Sequence, residues 1–295
     1  MLKRTILFAH PYHLRVEDKQ LVAVDRETGK EKRAPVEDLG YVILDHPQIS
    51  VTLPLLEELN SRNVAVIFCD RKHMPVSMNL NLDGHHLQSE LFRYQTQASL
   101  PLKKNLWQQT VTAKIRNQAA LLEKKGGKYE DLLVMARNVK NGDADNREGA
   151  AARLYWLRLF GKDFVRDRYG SPPNNLLNYG YAVLRAAVAR ALTGSGLLAT
   201  LGIHHHNRYN AFCLADDIME PYRPFVDELA DMIYREENNP AELSNKIKLR
   251  LLELLSRDVT VGKMKRPLMV ALSLTSASLA QCFSGETRKL VYARL

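Results

Sequence analysis

The hydrophobic pattern of this chain changes its period once, near residue 95, and that change limits the fold more than any other feature. Upstream of it, short runs rich in Val, Ile, Phe and Tyr alternate with turn signals: TILFA, HLRVEDKQLVAV, LGYVILD and VAVIFCD. Such residues suit a pleated, half-buried strand. The charged segment Glu27 to Arg33 reads as a turn, VTLPLLEELNSRN as one short helix, and the run that follows it as a strand ending at Asp70. Downstream the period becomes helical. In LWQQTVTAKIRNQAALLEKKG the residues Trp107, Val111, Ile115, Ala119 and Leu122 fall on one stripe at steps of three and four, and Gly126 and Gly127 end it. Further helices are expected over 129–140, 147–160, 176–192, 217–237 and 240–255, and after Pro267. The predicted class is α+β in two domains: a small β-rich domain over 1–95 and a larger all-α domain over 96–295.

Charge divides at about the same place. Residues 1–100 carry 12 Lys/Arg against 13 Asp/Glu, while residues 101–295 carry 30 against 20, so the net charge of +9 belongs to the helical part. A basic domain beside a neutral one points to a polyanion, most often nucleic acid. A lysine-rich helical surface with no such partner accounts for charge alone equally well. No apolar run reaches the roughly 20 residues that span a bilayer, and MLKRTILFAH is followed at once by Pro11, His13, Arg15 and Glu17, so it reads as a first strand and not as a signal peptide. No membrane is expected as a partner. Cys69, Cys213 and Cys282 are odd in number and far apart, which argues against a disulfide framework and fits a reducing cytoplasm.

Three segments carry metal-ligand types among small or basic residues: NREGAAARLYW (146–156), GIHHHNRYNAF (202–212) and LADDIMEPYRP (214–224). A hard divalent ion takes carboxylate oxygens and tolerates one imidazole. Glu148, one of His204, His205 and His206, and an acid of the third segment would supply that set. Each has an ordinary explanation as well. Asp145 and Glu148 fit a capping box at a helix start. Three consecutive histidines on a helix point about 100° apart, so one at most faces a given site. Asp217 and Glu220 share a helix face and also read as a solvated acidic patch. On one continuous helix His205 and Glu220 would stand roughly 22 Å apart, so the chain must turn between them, with Asn207 to Asn210 a suitable break.

In this order and at these separations, the three segments resemble the signature segments of the CRISPR-associated spacer-acquisition integrases, the "Cas one" family. LGYVILDHPQISVT and VAVIFCDRKHMPVSM resemble the β-rich domain of its type II branch. The resemblance implies a metal triad of Glu148, His205 and Glu220 binding Mg²⁺ or Mn²⁺. His204 and His206 stay open as alternatives to the middle histidine, and Asp217 as an auxiliary acid or a replacement for Glu220. It also implies a dimerising role for 1–95, a catalytic one for 96–295, and insertion of short DNA fragments at a repeat by attack of a 3′-hydroxyl on a phosphodiester.

Arg147, Arg153, Arg208 and Arg223 lie beside the ligands and are candidate contacts to double-stranded DNA. Lys103, Lys104, Lys114, Arg116, Lys124, Lys125, Lys263, Lys265 and Arg266 are candidates for a track along its backbone. The partners implied are a homodimer mate, the small second CRISPR-associated protein in a heterohexamer, and, for the type II branch, the effector nuclease and an accessory ring protein. Two other readings fit the residues: a non-catalytic DNA-binding scaffold, and a general metal-dependent DNA nuclease that uses water as nucleophile.

Overall fold

The computed structural model describes residues 3–81, 83–167, 170–238 and 240–295. The N-terminal part folds as β1 (Arg4–Phe8), β2 (Tyr12–Glu17), β3 (Gln20–Asp25), β4 (Glu31–Pro35), β5 (Leu39–Leu44), β6 (Ser50–Val51), α1 (Leu53–Ser61), β7 (Ala65–Cys69) and β8 (Pro75–Asn79). HLRVEDKQLVAV, one run by composition, is a hairpin: Asp18 and Lys19 take positive φ and turn β2 back onto β3. The strands form two four-stranded sheets, ordered β1-β5-β7-β8 and β4-β3-β2-β6.

Strand β5 is buried along its whole length, because its sheet is a wall with a core on each side. Alternation sends Val42, Leu44 and Val66 into the core that holds Leu14, Leu21, Leu55 and Leu59. It sends Tyr41, Ile43, Ala65 and Ile67 into the core of the helical part. A strand hydrophobic on both faces is the consequence.

The helical part contains α2 (Gln88–Gln97), α3 (Leu100–Lys124), α4 (Glu130–Arg137), α5 (Arg147–Phe160), α6 (Asn174–Gly194), α7 (Cys213–Met219), α8 (Arg223–Glu236), α9 (Asn245–Leu252) and α10 (Leu268–Ser284). Between α9 and α10, β9 (Asp258–Val261) and β10 (Met264–Pro267) pair as a small antiparallel hairpin, so this part is not wholly helical. Every member of the stripe from Trp107 to Leu122 is buried. The helix expected over 217–237 is two helices joined by a 3₁₀ turn at Glu220–Tyr222, where Pro221 has no N–H to continue the ladder. The C-terminal segment is ordered: Val291 bonds Thr275 and Ser278 of α10, and Leu295 N–H donates to Asn117 on α3. Among the described residues no helix is long and apolar enough to cross a membrane.

Candidate functional site

Glu148 stands in the first turn of α5, yet it caps nothing. The side chain of Asn146, held at φ 50°, accepts from Gly149 N–H, and Asp143 accepts from the N–H groups of Arg147 at 2.8 Å and Glu148 at 3.1 Å. Asp145 pairs instead with Lys140 at 2.8 Å. The capping box that Asp145 and Glu148 would also fit is therefore absent, because residues 143 and 146 already satisfy the helix start. This leaves the Glu148 carboxylate directed across the fold to α3, where Lys114 Nζ lies 2.5 Å from its Oε1.

The same ammonium lies 2.5 Å from Oε2 of Glu220. Glu220 begins the 3₁₀ turn and is 5% exposed; its Oε1 takes Arg223 Nε at 2.8 Å. Burial alone would push this carboxyl up, but Arg223 and Lys114 outweigh it and hold the group at about 2. Burial likewise works against the charge on Lys114, and Glu220 with Glu148 overcomes it, leaving its pKa above the usual lysine value. Lys114 is thus no part of an exposed DNA track. It follows Trp107 by seven positions and Val111 by three, so the apolar stripe itself placed it on the buried face.

The three histidines lie in a loop and not on a helix. Asp217 of α7, fully buried, folds that loop: its Oδ2 accepts from the N–H of Ile203 at 2.7 Å and of His204 at 2.9 Å, and its Oδ1 from His205 N–H at 3.2 Å and His205 Nδ1 at 2.5 Å. Gly202 makes the turn feasible, since a Cβ there would sit 2.3 Å from the His205 carbonyl oxygen. The Asp217 hydrogen bond raises the pKa of His205, and nearby Glu220 and Glu148 add to the effect. With Nδ1 engaged, Nε2 is the ring nitrogen left to meet a ligand. His204 stacks face to face on Trp107, with centroids 4.1 Å apart, and burial lowers its pKa. Trp107, which the sequence offers only as core, is the floor of the histidine loop.

The structure therefore brings Glu148, Glu220 and Lys114 into direct contact and sets His205 close enough to feel both carboxylates. Among the described residues, no three His, Cys, Asp or Glu side chains are grouped as they would be around an ion. The donor set nevertheless suits a hard cation: two carboxylates from separate elements already share one positive charge, the Lys114 ammonium.

Of the arginines, Arg153 is exposed and Arg208 lies over the ring of Tyr209, itself 81% exposed. Arg147 is half-buried. Arg223 is committed to Glu220 and lies 4.5 Å over Tyr181. A cavity of about 510 Å³ beside His205 is lined by Lys103, His206 and Arg208 among others. A larger one, about 670 Å³, lies elsewhere, where Lys124 pairs with Glu228 and Lys125 with Asp231. These two lysines, like Lys114, are tied to internal acids. Lys104, Arg116, Lys263, Lys265 and Arg266 are exposed.

Residues 6–252 match the family described as CRISPR associated protein Cas1. The chain is 36% identical over 265 residues to the CRISPR-associated endonuclease Cas1 of Neisseria meningitidis serogroup C, covering 89% of this chain and 86% of that one. It is 27% identical to a CRISPR-associated endonuclease Cas1 of Francisella tularensis subsp. novicida, covering 84% of each. Among solved structures, a casposase bound to integration product superposes with a TM-score of 0.77 at 20% identity, over 98% of this chain and 92% of that one. A CAS1 protein from Thermotoga maritima does so with a TM-score of 0.74 at 16% identity, over 96% and 97%. A Cas6-RT-Cas1–Cas2 complex matches with a TM-score of 0.75 at 20% identity, over 99% of this chain and 36% of that one.

Proposed function

This chain belongs to the Cas1 family of CRISPR associated proteins, and we propose that it is a metal-dependent DNA integrase that inserts short DNA fragments at a CRISPR repeat. One observation carries the reading: Glu148 and Glu220, brought from separate elements, converge on a single cation beside a histidine whose ring a buried acid orients. Glu220 is buried together with two cations, Lys114 and Arg223, and such a buried charge cluster is costly to keep for stability alone.

In this reading Glu148, His205 and Glu220 hold Mg²⁺ or Mn²⁺, His205 through Nε2, and Asp217 is the auxiliary acid that fixes the imidazole. The bound ion supplies Lewis acidity at the phosphorus under attack. Arg208, with Lys103 and His206 along the adjoining cavity, receives the phosphates of the DNA end, and Arg147 and Arg153 contact the backbone nearby. Arg223 serves Glu220 and keeps it ionised, and is not a phosphate contact in this reading. The reaction joins a fragment's 3′-hydroxyl to one side of a repeat phosphodiester while the 3′-oxygen of the cleaved strand leaves, so one phosphodiester is exchanged for another. Backbone contacts make binding fall steeply with salt and read little sequence.

Residues 1–95 serve as the dimerisation domain and 96–295 as the catalytic one. The working assembly is two homodimers bridged by a dimer of the small second CRISPR-associated protein, a heterohexamer in the cytoplasm, a reading supported by the likeness to a Cas6-RT-Cas1–Cas2 complex. The type II effector nuclease and the accessory ring protein are proposed as partners that select fragments.

The test is strand transfer of a labelled short duplex into a supercoiled repeat-bearing plasmid, with the partner protein and Mg²⁺ or Mn²⁺. Wild type transfers label, while Glu148→Ala, His205→Ala and Glu220→Ala bind DNA without joining it. Active variants would overturn the site; an inert wild type leaves the scaffold reading, and cut but unjoined DNA the general nuclease.

A further inference from the structure

Lys114 does something in this site that neither the metal triad nor a DNA track requires. Its side chain is 11% exposed, on a helix face otherwise given to Trp107, Val111 and Ile115, and its ammonium touches both Glu148 and Glu220. Each carboxylate belongs to a different element, α5 or the turn after α7, so this one group joins them. Glu220 keeps a second cation, Arg223, whose guanidinium is fixed by its bond to Oε1 and by the Tyr181 ring beneath it. Glu148, Glu220, Lys114 and Arg223 together sum to zero charge, and Asp217 beside His205 adds one negative. A divalent ion added to that set would leave net positive charge in a largely buried site and would face an ammonium at contact distance. Arg223 is pinned by its Nε bond to Glu220 and by the Tyr181 ring, whereas Lys114 hangs on four flexible methylenes that give it a way out.

We propose that Lys114 is an internal counter-cation of the site: it holds Glu148 and Glu220 together when no divalent ion does, and it is displaced when the ion binds. The proposal rests on the reading of Glu148 and Glu220 as ligands. Two consequences follow from competition for the same oxygens. Lys114 weakens metal binding by the free energy of its own displacement. The displaced ammonium becomes available to a DNA phosphate, which links loading of the ion to engagement of DNA.

The test measures binding of Mn²⁺ alone, by calorimetry and by electron paramagnetic resonance, to wild type, Lys114→Met, Glu148→Gln and the double variant. The expected result is at least tenfold tighter Mn²⁺ binding by Lys114→Met, lost again when Glu148→Gln is added. Equal or weaker binding by folded Lys114→Met overturns the proposal. A second readout uses wild type, in case the variant fails to fold: acetylation of Lys114 by an amine-reactive ester, followed by mass spectrometry. It rises several-fold when Mn²⁺ saturates the site, with exposed Lys104 as the unchanged reference, and labelling that does not respond to Mn²⁺ sinks the proposal. If Glu148→Gln binds Mn²⁺ as wild type does, Glu148 is no ligand and both readings fall. If it abolishes binding while neither Lys114 readout moves, the counter-cation role falls alone.

Discussion

Replacing Asp217 by Asn tests whether one buried carboxylate folds the histidine loop. The side chain accepts four hydrogen bonds, two at each oxygen, from three consecutive backbone N–H groups and the His205 ring. An amide has one acceptor oxygen, so whichever way it turns, two donors meet an NH₂ group. If the NH₂ replaces Oδ2, Ile203 and His204 lose their acceptor; if it replaces Oδ1, His205 loses both bonds. Hydrogen bonds to a charged group contribute about 1.5–3 kcal/mol each, so the loss of two is roughly 3–6 kcal/mol, with the loop's own opening free energy as its ceiling. In a chain of this size that corresponds to a fall in Tm of roughly 6–12 °C if the loss is global. If the loop opens by itself, residues 201–212 lose protection from hydrogen exchange while the helices keep theirs. The same change takes away the main cause of the raised His205 pKa, so the imidazole of the variant titrates at lower pH. A histidine with a raised folded pKa contributes stability that is complete at low pH and declines as pH rises through that pKa. Asp217→Asn flattens this slope. Thermal melts, exchange mass spectrometry of the loop and NMR titration of His205 check the three parts. A variant with unchanged Tm, exchange and His205 titration would show that Asp217 does not hold the loop.

Asn117 donates to the carbonyl oxygens of Pro221 and Ala293 and accepts from Leu295 N–H; Asn117→Ala should cost roughly 3 kcal/mol in urea denaturation and expose the C-terminal residues to carboxypeptidase. Gly180 on α6 faces Val226 on α8, where a Cβ would lie 2.4 Å from Val226 Cγ1; Gly180→Ala should cost about 1–3 kcal/mol, and adding Val226→Ala should recover part of that. Buried Asp227 receives the hydroxyls of Tyr155 and Tyr181, and burial pushes its carboxyl up to about 7 against those bonds. The folded chain therefore holds a proton that the unfolded chain releases near pH 4, so stability from this group is complete below that pH and declines by about 4 kcal/mol as pH rises through 7; urea denaturation at pH 5 and 8 should show this slope in wild type and lose it in Asp227→Asn.

The sequence carried the large elements because their period is local. The stripe through Trp107 and Ile115 and the valine-rich runs of β5 and β7 need no distant information to be read. Where local rules allow two outcomes, proximity in sequence does not decide between them and a remote partner does. Asp145 and Glu148 satisfy the pattern of a capping box, but Asp143 and Asn146 reach the helix start first. Nothing near three histidines in a row shows that they lie in a loop, because Asp217, twelve residues beyond His205, supplies the acceptors the loop needs. The β9–β10 hairpin does leave a signal, Val259 and Val261 alternating before Gly262, in a stretch otherwise helical in pattern. Lys114 left a clearer one: a lysine seven residues after a buried tryptophan on the same stripe must either reach solvent along its stem or find acids inside the fold. Its position on the buried face was thus available from the sequence, whereas the identity of its partners was not. That asymmetry has a physical origin. Burial follows from a helix's own periodicity, but charge compensation is settled by whichever elements the completed core brings alongside, and here those are the start of α5 and the turn after α7.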